Sequence, residues 1–126
     1  MNPAKYLIHV ETSAEFIAEQ SEPDEGRFVF AYQIRIENKG TLPAKLISRH
    51  WLITDAEGRV QEVRGVGVIG EQPLIAPGES FEYTSGCSIA TPVGTMRGAY
   101  QMTAEDGTGF EAEIPEFLLP GPRILH

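Results

Sequence analysis

Residues 28–37 alternate without a break. Phe28, Phe30, Tyr32, Ile34 and Ile36 fall on one side of a two-residue period, and Val29, Ala31, Gln33, Arg35 and Glu37 on the other. Successive side chains of an extended strand point to opposite faces. The stretch is therefore a strand with one large apolar face and one that becomes charged toward its end. A helix would scatter the same residues around its circumference. A sheet with one such face needs a second layer to cover it, so this segment demands a two-layer partner elsewhere in the chain.

The same period recurs from end to end, and helical periodicity is scarce. Residues 6–10 read as a strand, with residues 12–20 continuing it after a kink or bulge. Residues 21–26 (Ser-Glu-Pro-Asp-Glu-Gly) and Asn38-Lys39-Gly40 carry turn chemistry. Residues 45–55 form a strand of ambiguous parity, with Ile47, Trp51 and Ile53 on one face and Leu46 and Leu52 on the other. A strand apolar on both sides belongs inside a sheet. Asp55-Ala56-Glu57-Gly58 is a hairpin turn from which residues 59–63 return. Residues 64–78 read as a long Gly/Pro-rich connection. Residues 79–89 are a strand with Phe81, Tyr83 and Ser85 on one face. Met96, Gly98, Tyr100 and Met102 mark a face of the next. Asp106-Gly107 is a tight hairpin, and Phe110, Ala112 and Ile114 face inward on the last strand, opposite Glu111 and Glu113.

About seven antiparallel strands with turns every ten or so residues predict an all-β, immunoglobulin-like or fibronectin type III-like β-sandwich. The 126 residues make one domain, 1–126, with no linker or internal repeat and a loose tail over 118–126 that holds Pro120 and Pro122.

Charge and cysteine content narrow the function classes. With 10 basic and 18 acidic residues the chain carries a net charge of −8, which argues against nucleic acid or an anionic membrane as partner. Seven of the basic residues lie between Arg27 and Arg64, where alternating strands carry charge on their outer faces. Cys87 stands alone, so neither an internal disulfide nor a thiolate cluster is available. No apolar run is long enough to span a bilayer, and the N-terminus lacks a signal-peptide apolar region. The expected location is cytoplasmic.

The sharpest local motif is Gly65-Val66-Gly67-Val68-Ile69-Gly70, a G-x-G-x-x-G pattern. In dinucleotide folds such glycines precede a helix whose N-terminus holds a pyrophosphate. Pro73 and Pro77 forbid a helix of useful length here. Cys87-Ser88-Ile89-Ala90 stands where the acidic ribose ligand belongs, and Glu71-Gln72 where a phosphate-binding Lys-Ser/Thr would be. Two readings of the glycines stay open: backbone turns with positive φ between the sheets, or a concavity of N–H groups for a phosphate or pyrophosphate anion, assisted by Arg49 or Arg64. The apolar residues Val66, Val68, Ile69, Leu74 and Ile75 raise a third point. Either part of this set packs beneath the loop while the rest forms a recognition ridge rimmed by Arg64 and Glu71, or the whole segment is a strand-like crossover that covers an open edge of the sandwich.

Other chemistry is thin. His9 and Glu11 share a strand face, but His9, His50 and His126 are scattered, and metal sites need clustered ligands. Cys87 has no neighbouring base and reads as a small buried thiol. The serines lack a nucleophile-elbow motif. Phe28, Phe30 and Tyr32 belong to the core rather than to a base-stacking platform. No catalytic residue, metal ligand or cofactor is expected.

Linked motifs nonetheless make the chain distinctive. His50-Trp51-Leu52-Ile53-Thr54-Asp55 leads through Gly58 to Val63-Arg64-Gly65-Val66-Gly67-Val68-Ile69-Gly70-Glu71-Gln72-Pro73. Pro77-Gly78, Tyr83-Thr84-Ser85-Gly86, Gly94-Thr95-Met96-Arg97-Gly98-Ala99-Tyr100-Gln101-Met102 and Ile114-Pro115-Glu116-Phe117-Leu118-Leu119 follow. In this combination the chain resembles the bacterial ApaG family, also called CorD, over essentially its whole length. The resemblance implies a fibronectin type III-like sandwich. It implies a protein-interaction module, as in larger eukaryotic proteins that include an F-box protein and a DNA-polymerase-δ-interacting protein. It also carries a link to cobalt resistance and magnesium handling, and a pyrophosphate-binding idea attached to Gly65, Gly67 and Gly70. It brings no catalytic residues.

The expected function is a non-enzymatic binding module for an unknown protein partner. The alternatives are a pyrophosphate- or nucleotide-binding protein, with or without hydrolase activity, and a divalent-cation sensor. The candidate binding residues are Arg64, Gly65, Gly67, Val68, Ile69, Gly70 and Glu71.

Overall fold

The computed structural model describes residues 4–122. Among these residues eight strands follow one another: β1 (Ile8–Phe16), β2 (Phe28–Asn38), β3 (Ala44–Asp55), β4 (Val60–Val66), β5 (Leu74–Ile75), β6 (Ser80–Ile89), β7 (Gly94–Ala104) and β8 (Gly109–Leu119). Two single-turn 3-10 segments, Ala18–Gln20 and Pro23–Glu25, lie between β1 and β2. One sheet has the order β1-β2-β6 and the other β4-β3-β7-β8, with β5 paired to the first residues of β3. All pairings between these strands are antiparallel. The expected sandwich is thus present, and the strand beyond the expected seven is the two-residue β5.

The alternating face of β2 is the floor of the core. Phe28, Phe30, Tyr32, Ile34 and Ile36 are all buried. Each fully covered Phe or Ile contributes about 1.5–3 kcal/mol by leaving water. The opposite layer supplies Leu46, Trp51, Ile53, Met96, Tyr100, Met102 and Ile114. Trp51 ties the layers together: its ring lies edge-on to Tyr32 at 5.4 Å across the interface and to Tyr100 and Phe117 in its own sheet.

The structure corrects four boundaries. The N-terminal strand has no kink, because the β1–β2 register runs unbroken from Ile8↔Asn38 to Phe16↔Phe30. Thr12, a polar residue at an inward position, disguises the alternation. In β3 the ambiguous parity has a physical cause. The pairing with β7 passes from Leu46↔Met102 to Ser48↔Gln101 and leaves Ile47 as the extra residue of a β-bulge. Leu46, Trp51 and Ile53 therefore share the buried face, and Ile47 does not join them. The supposed connection over 64–78 is shorter, since β4 extends to Val66 and β5 interrupts the rest. The tail is not loose from residue 118: β8 includes Leu118 and Leu119, and Leu119 is fully buried. Residues 123–126 of that tail lie outside the described residues.

Candidate functional site

The glycine motif sits where β4 leaves the edge of the larger sheet, beside the β3 bulge. Arg64, Gly65 and Val66 are still strand, paired with His50, Arg49 and Ser48. The Gly67 N–H then donates to the Ile47 carbonyl at 2.8 Å. Val68 and Glu71 exchange both backbone hydrogen bonds, at 2.8 and 2.9 Å. That exchange closes a two-residue turn over Ile69 and Gly70, with φ of 43° and 79°. Positive φ at both central positions marks the type I′ hairpin turn. Gly70 adopts it freely. Ile69 is the one non-glycine residue with positive φ among the described residues, and a β-branched side chain makes that conformation costly.

The other two glycines have separate reasons. A Cβ on Gly67, already at φ 63°, would lie 2.2 Å from the Glu71 carbonyl oxygen. A Cβ on Gly65 would lie 2.6 Å from the Arg49 guanidinium carbon. Arg49 uses that vacated space to reach across the strand and donate to the carbonyls of Val66 and Gly67, at 3.2 and 2.9 Å. Gln72 donates to the Ile47 carbonyl at 2.9 Å. The loop is thus fastened to β3 from both flanks.

This geometry sorts the seven candidate residues. The three glycines serve the backbone path and the approach of Arg49. The N–H groups of Gly67, Val68 and Glu71 are occupied by protein carbonyls, which leaves fewer donors for an anion. Arg64 is exposed and shares the Glu62 carboxylate with His50. Its Nε and Nη2 both lie 2.8 Å from Glu62 Oε1, and His50 Nε2 lies 3.1 Å from the same oxygen. The Arg64 and His50 hydrogen bonds hold the Glu62 carboxyl below its ordinary pKa. Val68 is fully buried in the core, which removes it as a direct contact for any partner. Ile69 stands at the tip and Glu71 is exposed. Sequence reasoning missed Ile47, Glu62 and Gln72. Only the Glu62/Arg64 spacing at i, i+2 carried a readable signal.

Three apolar side chains of this loop and its flanking strands stand in solvent. Val66 is 75% exposed, Leu74 67% and Ile69 54%. Leu74 and the bulged Ile47 line a shallow, mostly apolar concavity of about 360 Å³ with Pro43, Lys45, Thr103 and Ala104. Val66, opposite Ser48, lies one residue along β3 from Ile47. The loop and its flanks thus place Val66, Ile69 and Leu74 in solvent, with Leu74 and Ile47 bordering the concavity.

Elsewhere the expected His9–Glu11 juxtaposition is present, with His9 Nε2 3.4 Å and Arg35 Nη1 3.9 Å from Glu11 Oε1. Among the described residues no three His, Cys, Asp or Glu side chains gather as a metal site. No helix there is long and apolar enough to cross a membrane. Cys87 is half-buried on β6, and burial pushes its thiol pKa up to about 11.

Comparison with known proteins agrees with the linked motifs. The sequence profile of the ApaG domain matches residues 18–104. Protein ApaG of Aromatoleum aromaticum is 64% identical over 122 residues, covering 97% of this chain and 96% of that protein. Protein ApaG of Dechloromonas aromatica is 62% identical over the same length and shares of the two chains. A crystal structure of a Bordetella pertussis protein named ApaA superposes with a TM-score of 0.92 at 55% identity, covering 98% of this chain and all of that one. A second solved structure superposes at 0.88 with 47% identity, covering 94% and 90% of the respective chains. Sandwich, glycine loop and flanking strands all fall within these matches: the chain belongs to the ApaG family.

Proposed function

We propose that this ApaG domain is a protein-binding module without chemistry of its own, and that it engages its partner through the ridge around residues 66–74. One observation carries the reading. Ile69, a β-branched residue, is held at φ 43° with 54% of its surface in solvent. Neither burial nor backbone preference accounts for isoleucine at that position. Strained conformations persist where the surrounding structure enforces them, and they cluster at functional sites. Val66, Leu74 and Ile47 extend the apolar surface beside it, and the exposed Arg64 and Glu71 supply a polar rim. Arg49 and Gln72 fix the loop before any partner arrives, which lowers the ordering cost of binding.

The test separates recognition from folding. Ile69→Asp and Leu74→Asp are compared with wild type for affinity capture of partners from an extract of cells that carry the protein. Melting temperatures are measured in parallel. Loss of the captured protein with melting temperatures held within about 2 °C, the scale of a change near 0.5 kcal/mol in a domain this size, supports the ridge. Undiminished capture by both variants refutes it. Titration with pyrophosphate, ATP, magnesium and cobalt tests the anion and cation alternatives. Saturable binding of pyrophosphate that disappears in Arg64→Ala would replace the present reading.

A further inference from the structure

Among the described residues β4 is an edge strand with no partner on its outer side. Proteins usually blunt such edges with charged side chains, proline, bulges or very short strands, and of these β4 uses only the charges of Glu62 and Arg64. β4 has seven residues, Val60-Gln61-Glu62-Val63-Arg64-Gly65-Val66, with no proline and an unbroken register to β3. Its even-numbered side chains stand in solvent: Val60 is 60% exposed, Val66 75%, and Glu62 and Arg64 are exposed between them. The orientation of the backbone groups is fixed by two hydrogen bonds. The Gly67 N–H donates to Ile47, and the Arg59 carbonyl accepts from Asp55. Odd-numbered residues of β4 therefore turn their N–H and C=O toward β3. Antiparallel alternation turns those of Val60, Glu62, Arg64 and Val66 toward the open edge.

We propose that this edge is a pairing surface for a second copy of the chain. The two β4 strands run antiparallel about a two-fold axis through Val63, and the two larger sheets join into one. In that register Glu62 lies opposite the partner's Arg64, Val60 opposite the partner's Val66, and Val63 opposite its own symmetry mate. All four outward-facing residues of each strand then find backbone partners. Both opposite-charge pairs and both valine pairs form at once, and cross-strand pairs of these kinds are favourable. The neighbouring registers that keep the faces matched are unfavourable. An axis through Glu62 sets that carboxylate against itself, and an axis through Arg64 sets two guanidiniums together. The sequence of β4 is thus self-complementary about Val63, and the charges select register more than they add affinity. A single strand-to-strand contact lies below the standard interface size. The dimer is accordingly expected to be weak, with a Kd on the order of 10–100 µM.

The test is sedimentation velocity of the intact protein from about 5 to 500 µM, bracketing that Kd, at low and high salt. The expected result is a concentration-dependent monomer–dimer equilibrium that weakens as salt screens the charge pairs. Glu62→Arg and Arg64→Glu each place like charges opposite one another and should raise the Kd at least about tenfold. The double exchange, Glu62→Arg with Arg64→Glu, restores opposite charges and should restore the dimer. A wild-type protein that stays monomeric throughout overturns the proposal. So does a dimer indifferent to both single changes, or a double exchange that stays as weak as the singles. Glu62 lies outside the apolar ridge and its Arg64 and Glu71 rim, so capture of a protein partner by Glu62→Arg remains a separate readout.

Discussion

The turn at Ile69–Gly70 makes a prediction that runs against ordinary conservatism. Replacing Ile69 with Asn creates Asn-Gly, the preferred pair for a type I′ turn. The left-handed conformation costs an ordinary L-residue about 1–2 kcal/mol, and Asn escapes much of this through its short, locally bonding side chain. Against that stands the lost burial of isoleucine. Its side chain is 54% exposed, so roughly half of a full value of about 1.5–3 kcal/mol is forfeited. The balance favours the variant by about 0.5 kcal/mol. At about 3–5 °C per kcal/mol for a domain of this size, Ile69→Asn should raise the melting temperature by about 2 °C. Ile69→Val is the control: it keeps the β-branched side chain and should gain nothing. Differential scanning calorimetry resolves the difference. A fall in melting temperature for Asn, or an equal gain for Val, would refute the strained-turn argument. The same Asn variant should lose partner capture, because stability and recognition make opposite demands on this position.

Other positions test the packing. Asn38 is buried, and its amide donates to the carbonyls of Leu42 and Ile75 and accepts from the Gly40 N–H. Asn38→Ala should cost about 3–4 kcal/mol in urea unfolding, because buried carbonyls are left unpaired. The hydroxyls of Tyr83 and Tyr100 share a buried hydrogen bond of 2.5 Å, and burial raises both phenol pKa values. Either single Tyr→Phe change should destabilise by about 1–2 kcal/mol, with the double change costing less than the sum. Cys87, its thiol pKa raised to about 11 by burial, should react with iodoacetamide about 100-fold more slowly at pH 8 than after unfolding in urea. A folded pKa above the unfolded one means that this contribution is intact below the unfolded value and is lost as pH rises through 11.

What the sequence made legible was the periodic part. The alternation at residues 28–37 identified the buried face of β2 residue by residue, and Asp55–Gly58 and Asp106-Gly107 marked real turns. Departures from period were not legible. A bulge costs one residue and inverts every later side chain, so Ile47 was assigned with Trp51 although it sits apart. Thr12 occupies an inward position while looking like a break. The left-handed Ile69 was hidden for a related reason: turn rules look for Asn or Asp before Gly, and tertiary packing supplied what local preference did not. Burial divided the glycine loop, sending Val68 into the core and Ile69 into solvent, although the two read alike in the sequence. The clamp of Arg49 on the Val66 and Gly67 carbonyls joins residues 17 and 18 positions apart, beyond any local pattern.

That clamp bears on speed. A loop that must order itself as it docks loses encounters, and its association slows. Here Arg49 and Gln72 hold the ridge to the sheet beforehand, so productive collisions need only the right orientation. Association should then run in the usual orientation-limited range of about 10⁵–10⁷ M⁻¹s⁻¹. Differences in affinity among ridge variants would appear as differences in how long the complex lasts. Freeing the loop by removing the Arg49 guanidinium would move the penalty to the encounter itself.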